Sequence, residues 1–200
     1  MIDLTRTTTA LLEGLHDVEN AEAWASFYGR YVPILIGVSR RLGLSEADAQ
    51  DAAQETLTAF VKEYRENKYD RDRGRLRAWL LTILRTRVAG QYRAKAVRKE
   101  QQGVTFVGGV PDERTASEAW DVERRRAILL QAIDELRKVS KTSDQSVQIF
   151  EMLARDSRTA QDVADELGLT AQDVYRAKSR VAQRLREVVT KIEGVYDAEE

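Results

Sequence analysis

The chain has 200 residues, 42% apolar and 32% charged, with a net charge of −1, the balance of a soluble globular protein long enough for one large or two small domains. It has no cysteine and a single histidine, His16, which excludes a disulfide framework, a thiolate or histidine-cluster metal site and a histidine-driven triad. No run of 18 apolar residues occurs, and the start Met-Ile-Asp-Leu-Thr-Arg-Thr lacks the charged-then-apolar order of a secretory signal, so a cytoplasmic protein with no membrane partner is expected.

Good helix formers dominate the sequence and only two prolines interrupt it, so the expected fold class is all-α. From Ala21 to Leu42, the residues Trp24, Phe27, Tyr28, Tyr31, Leu35, Val38 and Leu42 recur at three- and four-residue steps, with a kink expected at Pro33. Gly43 closes that helix and Ser45 caps the next, whose first-turn acids Glu46, Asp48 and Asp51 suit the positive end of the helix dipole. This second helix is expected to run to about Asn67. It buries Ala49, Ala52, Ala53, Leu57, Phe60, Val61 and Tyr64, and leaves an acidic, polar face at Asp48, Gln50, Asp51, Gln54, Glu55 and Thr58.

The stretch 67–74 reads as a loop, after which Leu76, Trp79, Leu80, Ile83, Leu84 and Val88 form a third apolar stripe. Residues 71–99 hold ten Lys and Arg against one acid, a local charge of +9 in a chain whose total is −1. Such concentration marks a surface for a polyanion. Residues 100–116, rich in Gly and turn formers, read as a flexible linker that carries the apolar residues Val104, Phe106, Val107 and Val110. A further helical block follows. It ends in two capped helices, starting after Thr159 and after Thr170, around Gly168, with Val163, Ala164, Leu167, Leu169 and Val174 holding the angle. This is the layout of a helix-turn-helix. Its second helix exposes Tyr175, Arg176, Lys178, Ser179, Arg180, Arg184 and Arg186, a set suited to a major groove.

Other signals read more simply. Trp24, Trp79 and Trp120 fall on apolar stripes and are expected in the core, although Trp79, beside four arginines, also suits a place near unstacked bases. The carboxylate pairs Asp48/Asp51 and Asp162/Asp165 sit in first turns, where the dipole favours acids, so catalysis is not expected. Gly108-Gly109 lacks the strand, helix and Lys-Ser/Thr of a phosphate loop, and no cofactor is implied.

The segment Asp48-Ala-Gln-Asp51-Ala-Ala-Gln54-Glu55-Thr56-Leu57 resembles the polymerase-binding helix in region 2 of sigma factors of the sigma-70 family. Arg73-Gly74-Arg75-Leu76-Arg77-Ala78-Trp79-Leu80 is similar to the family's lead into the helix that reads the promoter −10 element. Thr159 to Leu185 resembles the region 4 helix-turn-helix that reads the −35 element. Order and spacing are similar to the short extracytoplasmic-function (ECF) subgroup. Two departures, Arg85-Thr86-Arg87 after the Trp-Leu motif and Asp173-Val174-Tyr175-Arg176-Ala177 in the recognition helix, leave the promoter sequence unassigned.

The resemblance implies two small helical domains joined by a flexible linker: region 2 at 1–99, linker at 100–116 and region 4 at 117–200. It implies a non-enzymic promoter-specificity subunit with core RNA polymerase and promoter DNA as partners, and an anti-sigma factor as a further one that covers the apolar linker. Asp48, Asp51, Gln54 and Glu55 would meet polymerase. Tyr69, Arg73, Arg75, Arg77, Arg85 and Thr86 would take one separated −10 strand, and Tyr175, Arg176, Lys178, Ser179, Arg180 and Arg184 the −35 duplex. Two other readings remain: a free-standing, homodimeric helix-turn-helix regulator that never meets polymerase, and a helical interaction protein whose basic helices meet an acidic partner.

Overall fold

The computed structural model describes residues 8–17, 19–69, 75–101, 112–139, 144–155 and 158–197. All regular structure among them is helical, in chain order α1 (Thr8–Gly14), α2 (Ala21–Arg41), α3 (Glu46–Arg65), α4 (Leu76–Gln101), α5 (Glu113–Val139), α6 (Asp144–Arg155), α7 (Ala160–Leu167) and α8 (Ala171–Asp197). The expected all-α class is therefore observed. The chain divides into two compact units, Met1–Ala127 with Val195–Glu200, and Ile128–Gly194. Most of the expected linker lies outside the described residues. Its last positions are already helical, because Asp112 accepts a hydrogen bond from the Thr115 N–H at 2.7 Å and so starts α5. The expected boundary at residue 117 falls inside α5, whose residues up to Ala127 group with the first unit.

In the first unit, α2 begins where the Asn20 side chain accepts from the Ala23 N–H at 3.0 Å. It buries Phe27, Tyr31, Ile34, Leu35 and Val38. Pro33 is exposed and lies inside a helix that continues to Arg41. Ser45 caps α3 by accepting from the Asp48 N–H at 3.3 Å. All seven apolar positions expected to face inward from α3 are buried, with Phe60 stacked on Phe27 at a ring separation of 5.4 Å. From α4, Leu76, Leu80, Leu81, Ile83, Leu84 and Val88 are buried. The first half of α5 adds Ala116, Ala119 and Trp120, and Glu123 fills the space a side chain at Gly37 would take while its carboxylate meets Arg41 Nε at 2.5 Å. Of the three tryptophans expected in the core, Trp120 is 2% exposed. Trp24 and Trp79 are only half-buried. α1, which the sequence reading did not anticipate, buries Leu11 and Leu12.

The second unit contains the bend foreseen in the sequence. Thr159 and Asp162 form a capping box: the Thr159 hydroxyl and N–H donate to the Asp162 carboxylate at 2.7 and 3.0 Å, and the hydroxyl accepts from the Asp162 N–H at 3.1 Å. Thr170 repeats the hydroxyl half of this at Asp173, donating at 2.6 Å and accepting at 3.2 Å. Between the two helices Gly168 has φ 65°, a left-handed conformation that suits glycine. Val163, Ala164, Val174 and Ala177 are buried with Ile149 and Met152, and Leu167 and Leu169 pack partly buried against them.

Gly43 sits between α2 and α3 with φ 93°, and a Cβ there would strike the Tyr92 hydroxyl, which donates to the Leu42 carbonyl. Gly43→Ala is therefore expected to lower stability by about 1–3 kcal/mol in urea denaturation, whereas Tyr92→Phe, which loses only the hydrogen bond, should cost about 1 kcal/mol.

Both caps predict an acid limb. The Thr159 hydroxyl, followed by its N–H, holds the Asp162 carboxyl below its ordinary pKa, and the Thr170 hydroxyl does the same for Asp173. A lowered folded-state pKa gives stability that is present above the ordinary carboxylate value of about 4 and is lost as pH falls through the lowered one. Thermal melts below pH 4 should thus fall less steeply for Asp162→Asn/Asp173→Asn than for the wild type.

Candidate nucleic-acid interface

α3 and α4 pack against each other, and the sides they leave outside carry opposite charge. On α3, Asp51, Gln54 and Glu55 are exposed and, with Thr58, Lys62 and Arg87 of α4, line an open groove of about 590 Å³. Their spacing puts them on one helix face. Asp48, expected beside them, does not line the groove. Its carboxylate accepts from the Ser45 hydroxyl at 2.5 Å and pairs with Lys95 of α4 at 2.6 Å. Glu55 faces Arg87 across the same seam at 3.7 Å.

On the basic side, Trp79 lines a cavity of about 440 Å³ together with Glu63, Arg75, Thr82, Thr86 and Arg87. Arg75 and Thr86 are exposed, and Thr86 donates to the Thr82 carbonyl at 3.0 Å. Tyr69 packs edge-on against Trp79 at 5.6 Å and also meets Phe60 and Tyr64, both at 5.9 Å. This aromatic chain ties the end of α3 to the start of α4. Arg73 lies outside the described residues.

Arg77 and Arg85 do not join this cavity. Arg77 donates to the Ser117 carbonyl at 3.1 Å and the Ser117 hydroxyl at 2.7 Å, and pairs with Asp121 at 2.8 Å. Arg85 faces Glu113 at 3.7 Å. Positions 77 and 85 on α4 thus match 121 and 113 on α5, an antiparallel seam with an eight-residue step on both sides. Acids at that matching spacing are the signal that the sequence reading passed over. Glu63 was missed for another reason: a charged residue on an amphipathic helix reads as solvated surface.

On α8, Val174, Ala177, Val181 and Leu185 are buried, and this turns Tyr175, Arg176, Lys178, Ser179, Arg180 and Arg184 outward, all of them exposed. Arg176, Arg180 and Arg184 follow one another at single turns along the exposed side. Arg176 also pairs with Asp173 at 3.7 Å. No group of histidines and carboxylates suited to a metal occurs among the described residues, and none of their helices is long and apolar enough to cross a membrane.

The first unit thus carries a groove lined by Asp51, Gln54 and Glu55 of α3 and, beside it, an aromatic cavity lined by Arg75 and Arg87. Residues 27–98 match the family model of sigma-70 region 2. The match covers α3 and most of α2 and α4, so the likeness to that region lies in the helices that carry the groove and the cavity. Comparison with curated proteins and with solved structures gave no match.

The engaged state of Arg77 separates it from Arg75. Arg77→Ala should cost about 1–2 kcal/mol of stability in urea denaturation, through its lost bonds to Ser117 and Asp121. Arg75→Ala should stay within about 0.5 kcal/mol and instead weaken binding of single-stranded DNA, read by fluorescence anisotropy.

Proposed function

We propose that the chain is a promoter-specificity subunit of RNA polymerase of the ECF type, acting in transcription initiation in the cytoplasm. The observation that carries this reading is the neighbouring placement of the exposed Asp51, Gln54 and Glu55 and of the arginine-lined cavity in helices that match region 2. The face at Asp51, Gln54 and Glu55 docks on a basic surface of core polymerase, and Asp48 joins it once released from Lys95. Complementary charge there speeds encounter and fixes register more than it adds affinity.

Tyr69, Trp79, Arg75 and Thr86 receive the separated −10 strand: the aromatic rings take the bases and the guanidinium the phosphates. Arg73 joins this set, and Arg77 and Arg85 extend it once they leave their α5 partners. Holding one strand apart offsets the cost of unpairing, which is how strand capture opens a promoter. In the second unit Arg176, Ser179 and Arg180 read base edges of the −35 duplex, while Tyr175, Lys178 and Arg184 settle on its backbone. Region 2 belongs to the first unit and region 4 to the second, and the apolar Val104, Phe106, Val107 and Val110 of the expected linker at 100–116 are what an anti-sigma factor covers. A free-standing dimeric regulator has no use for the exposed Asp51, Gln54 and Glu55 on α3.

Template structure provides the test. With a promoter selected from a random library, Tyr69→Ala/Arg75→Ala should abolish run-off transcription by core polymerase from closed duplex. Much of the activity should return on a template whose −10 region is pre-melted by mismatches, because the few kcal/mol of unpairing are then already supplied. Full activity of the double variant on closed duplex would remove strand capture from this site.

A further inference from the structure

One acid stands in the cavity that the strand reading assigns to a polyanion. Glu63, near the end of α3, lines that space with Arg75 and Arg87. One of its oxygens, Oε2, accepts the indole N–H of Trp79 at 2.9 Å. A charged acceptor makes that bond strong and fixes the plane of the ring, whose other neighbour is the edge-on Tyr69 ring at 5.6 Å. The carboxylate is thereby fixed too. Its second oxygen is a pure acceptor at the wall of a cavity of about 440 Å³.

We propose that Glu63 is a specificity-determining residue of this site: one oxygen positions Trp79 and the other accepts a hydrogen bond from the exocyclic amino group of one unpaired base. This rests on the strand-capture reading above. Adenine, cytosine and guanine each carry such an amino group. Thymine does not. Its one donor is an imino N–H between two carbonyl oxygens, which a carboxylate repels, so thymine is disfavoured at the base that enters the cavity. The isosteric Glu63→Gln separates the two roles. Its carbonyl oxygen still accepts the indole N–H, and this turns the amide N–H₂ toward the cavity, where it donates to a thymine carbonyl.

The experiment uses the full-length chain with core RNA polymerase from the same organism. The probe is a fork-junction DNA library that is single-stranded and randomised across the −10 positions, so that melting plays no part. Retained DNA is sequenced. The wild type should deplete thymine about tenfold at one position. Glu63→Gln should remove that depletion and leave the other positions and polymerase binding unchanged, and Glu63→Ala, which drops both oxygens, should remove it as well. Identical base preferences for the wild type and the folded variants, or a wild type that retains thymine at every position, would overturn the assignment of Glu63 alone. A wild type that enriches no sequence would overturn the promoter reading itself, and the role of Glu63 with it.

Discussion

The packing of α3 against α4 constrains everything else in the first unit. Each helix has an apolar stripe, Leu57, Phe60 and Val61 on one and Leu80, Leu84 and Val88 on the other. Burying them stabilises by roughly 1.5–3 kcal/mol per large side chain. No surface pairing competes with that. Once the stripes are buried, the polar sides of the helices must run next to each other, one acidic and one basic. The placement of acids on one helix and arginines on the next is thus a by-product of where the leucines and aromatic residues have to go.

The ion pairs across this seam are of a different order. Asp48 with Lys95 and Glu55 with Arg87 are partly or largely exposed, and such pairs contribute about 0–1 kcal/mol. They keep opposite charges from standing unpaired in the free protein without locking either row. A carboxylate or guanidinium held so weakly is easily exchanged for a group on a partner. The Arg77 site differs because three bonds converge on a guanidinium that is 25% exposed. Arg77 and Arg85 are therefore engaged by α5, whereas Arg75, just ahead of α4, stands exposed at the cavity.

In the second unit, local chemistry accounts for more of the result. Two Thr-x-x-Asp caps start α7 and α8, and a left-handed Gly168 sets the angle between them. Each of these is a short-range device written within a few residues. The small Ala164 and Ala177 are buried where large side chains would force the helices apart. The exposed face of α8 follows from this, since a helix that buries Val174, Ala177, Val181 and Leu185 has to present residues 176, 180 and 184 to solvent.

Periodicity and capping determined the all-α class, the inward positions of α3, the Ser45 and Thr159 caps, the Gly168 bend and the outward residues of α8. Each of these depends on residues within a turn or two of one another, and a linear reading holds that information. Tertiary structure alone decided that Trp79 stands half-exposed at a cavity and hydrogen-bonded to Glu63, that Asp48 turns to Lys95, and that α5 holds Arg77 and Arg85. Such pairings join residues 16 to 47 positions apart. They depend on the angle and register at which two helices meet, which the summed packing of many side chains sets and no single stripe encodes.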